Sequence, residues 1–119
     1  DLVCSEIPGM CDHTGMLVGR VSCWPKLVTN TPNGKPDPKR LEAARYYDLV
    51  NFARHVKVPT YVTVGMIDSV CPPTTVYAMF NRLPCDRHIQ QLPLGHVQSG
   101  EGENNSRRAM QEFLRRKRE

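Results

Sequence analysis

No stretch of this chain approaches the ~18 consecutive apolar residues that a membrane-spanning helix needs, so no membrane partner is expected. A charged-then-apolar leader ahead of a cleavage site is also missing. The chain opens on Asp1 rather than Met, inside what reads as a strand, so we expect a cut amino terminus. The missing leader then leaves the compartment open, cytoplasmic or exported. Aromatic residues are few, and the basic tail Arg115, Arg116, Lys117 and Arg118, with Arg107 and Arg108 upstream, has only Phe113 among them. Nucleic-acid binding calls for aromatics interleaved with the arginines. Phe113 fits the apolar stripe Met110, Phe113, Leu114 instead, and the tail reads as the solvated end of a helix whose cations complement the macrodipole; no nucleic-acid partner is expected.

Cysteine is present in odd number: Cys4, Cys11, Cys23, Cys71 and Cys85, unevenly spread through a chain that is not loop-rich, which argues against a disulfide framework. Zinc sites read from sequence need paired ligands at short spacing. Cys11 and His13 are close, but Cys4 and Cys23 lie too far off for a familiar knuckle, so no metal site is predicted.

What is present is ordinary for a globular domain. At 119 residues there is room for one modest core and not for two, so residues 1–119 are read as part of a single domain; the net charge of +4 is mild. The organising stretch is VPTYVTVGMIDSVCPP, residues 58–73. Its first half is short, rich in β-branched and apolar residues and apolar on both faces, the pattern of a parallel strand covered by helices. Gly65 permits a tight exit, Asp68 follows the strand end, and Pro72-Pro73-Thr74 opens a helix over 74–83.

Around this stretch the chain reads in order as a buried strand over 2–7, then loop with short helical pieces broken by Gly15, Gly19 and Pro25, then an exposed turn-rich loop, TPNGKPDPKR. Asp37 and Pro38 open a helical pattern that runs to about residue 56, with a phase slip near Asp48 that predicts two consecutive helices. A short strand over 88–92 delivers Gly95-His96 into a polar loop, VQSGEGENN, ahead of a last amphipathic helix. Strands alternating with helices predict an α/β fold, a parallel sheet with flanking helices.

Asp68 follows one strand and His96 the next, so parallel strands put both at one edge of the sheet, where open α/β sheets carry their chemistry. An acid that orients an imidazole, acid before base in the chain, is the order of α/β-hydrolases. The plainer reading of Asp68 is a turn-capping carboxylate.

The segments YYD, NFA, VP, VGMID, CPPTTVYAMFN and GH, in this order, resemble the carboxyl-terminal half of the acetyl xylan esterase and cephalosporin-C deacetylase group of α/β-hydrolases. IPGMCDHTG with GRVSCWPKL is similar to the segment preceding it, so the resemblance covers nearly the whole chain. It implies a carboxylic-ester hydrolase acting on acetylated sugars or similar small esters, with Asp68 as charge-relay acid, His96 as catalytic base and no metal or organic cofactor. Many members of the group carry glutamate directly after that histidine, where this chain has Val97. It also implies that Cys71 belongs to a structural CPP turn rather than acting as a nucleophile.

A nucleophile elbow needs a serine with glycines two residues either side. Ser5, Ser22, Ser69, Ser99 and Ser106 have none, so this chain carries two of three triad members and, taken alone, is expected to be inactive. The resemblance places the elbow upstream. The first strand would then show an unpaired apolar edge that docks onto the upstream half of the domain, associates with a second copy or leaves the chain poorly soluble. The competing class is a non-catalytic interaction module or inactive fragment of the same fold. His13 is read as a hydrogen-bonded loop histidine in preference to a pocket residue. Trp24 is read as core or interface packing in preference to a sugar-stacking face.

Overall fold

The sheet is built outward from its middle strand. In the computed structural model, which describes residues 1–96 and 105–118, β1 (Val3–Glu6), β2 (Thr60–Gly65) and β3 (Arg87–Leu92) lie in the order β1-β2-β3 and pair in parallel throughout. Register runs from Val3 opposite Thr60 and from Thr60 opposite Arg87, ending with Gly65 opposite Leu92. Side chains alternate across a strand, so each face of β2 needs its own cover. Val62 and Val64 enter the main hydrophobic core with Val76, Met79, Leu83 and Ala53. Tyr61 lies on the other face, stacked on His88 with ring centroids 4.5 Å apart. Five of the six β2 residues are buried, and burial of a side chain such as Val62 is worth about 1.5–3 kcal/mol.

The helices follow their sequence signals. α1 (Pro38–Ala44) starts at Asp37, whose side chain accepts from the backbone N–H groups of Lys39 and Arg40, with proline in its first turn. The phase slip near Asp48 is a break: α2 (Leu49–Ala53) begins anew, with Asp48 as its N-cap accepting from Val50 N–H. α3 (Pro73–Phe80) opens on the Pro72-Pro73 step and packs with α2 on one face of the sheet. α4 (Asn105–Arg116) lies against β1 and β2 on the other, where the Cys4 thiol donates to Ser106 O and Arg107 pairs with Glu6. The loop after β1 contains one 3-10 helix, Gly15–Val18. No helix among the described residues is long and apolar enough to cross a membrane.

Three expectations need correction. β1 is a half-exposed edge strand rather than a buried one, because only β2 pairs with it among the described residues; Val3 keeps 37% of its surface exposed. Within the stripe of α4, Met110 and Leu114 remain exposed and Ala109 and Phe113 turn inward, since the helix meets only the edge of a three-stranded sheet. Of the two placements expected for Trp24, the core one does not hold: the residue is 62% exposed in this chain.

Candidate active site

The turn after β2 is built around the Asp68 carboxylate. Its Oδ1 accepts from the backbone N–H groups of Val70 at 2.7 Å and Cys71 at 2.9 Å, an Asx turn that folds residues 68–71 back and sets the start of α3. The turn-capping reading of Asp68 is thus met by one oxygen, which leaves the other for a second partner. Oδ2 takes no part in the turn and lies 3.0 Å from Nδ1 of His96. The Asp68 side chain is fully buried, whereas that of His96 is 43% exposed and its Nε2 makes no hydrogen bond among the described residues. A buried carboxylate on Nδ1 favours the tautomer of the neutral ring with the proton there, leaving Nε2 as the acceptor nitrogen.

Gly65 makes this meeting possible. A Cβ there would stand 2.7 Å from Leu94 O and 2.8 Å from Gly95 O, so no side chain fits beneath the chain that carries His96. The exit of β2 is laced to that chain by Met66 N–H to Leu92 O and Ile67 N–H to Leu94 O. Backbone bonds thus bring the two sequence-remote segments side by side, and the side chains of Asp68 and His96 meet across them.

The loop after β1 closes on the same end of the sheet. Ile7, Met10 and Asp12 all adopt the left-handed region, which is uncommon outside glycine and costly for a β-branched residue. Compensating bonds hold the loop: Met10 N–H to Trp24 O, Trp24 N–H to Val70 O and Leu49 N–H to Met10 O tie it to the Asp68 turn and to α2. Asp48 Oδ1 accepts from Asp12 N–H and Oδ2 from His13 N–H, while Arg20 forms a two-point pair with Asp12. The resulting arrangement buries Cys11, Cys23 and Cys71 together. Burial foremost, then the neighbouring Cys23 and Asp68, pushes the Cys71 thiol up to about 12. At neutral pH it is a thiol, not a thiolate nucleophile.

His13 departs in part from its expectation. Its backbone N–H is bonded to Asp48, yet its buried ring Nε2 has no partner among the described residues. Burial lowers its pKa against the opposing pull of Asp48 and Asp12. Sequence reasoning missed Asp48 as a hub; its signal was the N-cap residue type at the helical phase slip. It also missed that Cys71 shares a small space with both site residues: one ligand-type atom each from Asp68, Cys71 and His96 all lie within 4.8 Å of one another. Val97, Ser99 and most of the polar loop after His96 lie outside the described residues.

A three-stranded parallel sheet, helices on both faces and an acid and an imidazole at the carboxyl ends of neighbouring strands define part of an α/β-hydrolase-type fold. The structure superposes on acetyl xylan esterase 1 from Thermoanaerobacterium sp. with a TM-score of 0.67 and 23% identity, covering 96% of this chain and 37% of that one. It superposes on an acetyl xylan esterase from Paenibacillus sp. R4 with a TM-score of 0.70 and 22% identity, covering 96% and 37%. Residues 28–116 match the acetyl xylan esterase (AXE1) family, and the chain belongs to it. Acetyl esterase Axe7A of Xylanibacter ruminicola is 34% identical over 87 residues, which is 73% of this chain and 19% of that protein. The chain thus spans about a fifth of the length of this curated relative.

Proposed function

We propose that this chain is the acid–base arm of a serine carboxylic-ester hydrolase that deacetylates acetylated carbohydrates or similar small esters. The contact of 3.0 Å between His96 Nδ1 and Asp68 Oδ2 carries the reading, in a chain whose relatives are named acetyl esterases and acetyl xylan esterases. Asp68 holds the imidazole and stabilises its charged form. His96 Nε2 takes the proton of a serine hydroxyl as that oxygen attacks the acetyl carbonyl, then gives the proton to the departing alcohol, leaving an acetyl-serine. Water, deprotonated by the same nitrogen, releases acetate and returns the serine.

The serine and the main oxyanion donors belong, in this reading, to an upstream half of the same domain. Its seat is the open side of β1 and the adjoining apolar cavity of about 200 Å³, lined by Val3, Leu49, Phe52, Val56, Met79 and Leu83. The extent of the solved relatives beyond the matched segment supports that occupant.

The test is complementation. The isolated chain shows no turnover of acetyl esters above background, and joining or adding the upstream half restores it. His96→Ala in the restored enzyme removes it. Turnover by the isolated chain that survives His96→Ala overturns the assignment.

A further inference from the structure

The Asp68 turn places a thiol beside the acid–base pair, and nothing in ester hydrolysis uses it. Asp68 and Cys71 are three residues apart in one Asx turn, and His96 reaches them from the next strand over Gly65. Oxygen, sulfur and imidazole nitrogen from these residues lie within 4.8 Å of one another, the only such grouping of three metal-ligand side chains among the described residues. Carboxylate, thiolate and imidazole are the donor types of zinc, which binds them at about 2.0–2.3 Å in a tetrahedron, so small side-chain movements close a three-ligand site.

We propose that Asp68, Cys71 and His96 form a binding site for a thiophilic divalent cation such as zinc, with solvent as the fourth ligand.

Several features suit the role. Asp68 Oδ1 is fixed by two backbone N–H groups, so the carboxylate is already oriented and Oδ2 is the oxygen left to ligate, the kind of support that outer hydrogen bonds give metal ligands. Two ligands are buried, while the half-exposed imidazole lies on the open side, through which the ion and its water reach the site. Binding forms metal–oxygen, metal–nitrogen and metal–sulfur bonds. The proton between His96 Nδ1 and Asp68 Oδ2 shifts to Nε2 or to solvent, the thiol proton goes to solvent, and no electron is transferred. An occupied site takes Nδ1 and Oδ2 out of the acid–base arrangement, so the cation acts as a reversible inhibitor of whatever chemistry the pair performs. The inference does not depend on the esterase reading, because its readout is metal binding by this chain without turnover.

The experiment is titration of the reduced 119-residue chain with zinc by calorimetry, and with cobalt(II) by absorbance. One equivalent is expected, with a near-ultraviolet thiolate-to-cobalt band. Cys71→Ser abolishes the band and weakens zinc binding about 100-fold, and His96→Ala weakens it about 10–100-fold with an unchanged circular dichroism spectrum. Cys85→Ser changes neither. Should Cys71→Ser fail to fold, His96→Ala decides alone, since that side chain is half-exposed. Absence of stoichiometric binding, a band that survives Cys71→Ser, or undiminished affinity in His96→Ala each overturn the site.

Discussion

Asp48 and Asp68 are buried carboxylates made from the same parts: each follows a break in the chain, and each accepts the backbone N–H two residues on with Oδ1. They part at the second oxygen. Oδ2 of Asp48 takes His13 N–H while its Oδ1 also takes Asp12 N–H, so the group is consumed in pinning the strained loop after β1 to α2. Oδ2 of Asp68 is left over from its turn and faces an imidazole that is partly open to solvent. Whether a buried carboxylate keeps an oxygen for a partner outside its own turn thus depends on how many donors folding has given it, which residue type and local spacing do not reveal.

The largest expected effect separates the two on turnover. In enzyme completed by the upstream half, Asp68→Asn lowers kcat by about 10⁴-fold, through loss of the favoured imidazole tautomer. Asp48→Asn leaves kcat within about tenfold wherever the protein remains folded, since it touches neither ring nitrogen of His96. Steady-state rates on an acetyl ester, at a temperature where both variants are folded, check this; equal losses would erase the distinction.

Stability should rank them in reverse. Asp48→Ala strands three backbone donors and is expected to cost about 3–5 kcal/mol, whereas Asp68→Ala strands two and costs about 2–3 kcal/mol. Urea unfolding midpoints at constant m-value provide the measurement.

The two strands leading to these regions differ likewise. Val62→Ala on the central strand should cost about 2 kcal/mol, and Val3→Ala on the open edge under about 0.5 kcal/mol in the isolated chain. Addition of the upstream half should raise the second cost, because β1 would then be covered; no increase would argue against β1 as the docking edge.

The smallest effect is a pH slope. Burial depresses the folded-state pKa of His13 below its unfolded value of about 6.5, so the unfolded chain binds the proton first. This contribution to stability is complete above the unfolded value and declines as pH falls through it toward the folded one. His13→Phe should flatten the slope of stability between pH 7 and 5; an unchanged slope would show that the ring titrates normally.

The strand-helix alternation, the paired helices broken at Asp48 and the carboxylate after β2 were legible because they rest on local physics: β-branched runs, N-caps, proline at the first helical turn. The motifs VGMID, CPPTTVYAMFN and GH carried the family, which the match over 28–116 bears out. Solvent exposure was less legible. A strand apolar in sequence reads as buried, yet β1 and the stripe of α4 stay half open, because cover is supplied by neighbours rather than by the strand itself.

By itself, then, the sequence determined which segments become strands and helices and which residue types stand after them, since these follow from side-chain shape, backbone φ preferences and hydrogen-bonding groups within a few residues. Only the tertiary structure decided that His96 would arrive at 3.0 Å from Asp68 Oδ2 and that the Cys71 thiol would share the space of that pair. Those outcomes depend on parallel register between β2 and β3 and on the side-chain-free space at Gly65, which couple residues far apart in the chain and so leave no mark in local pattern.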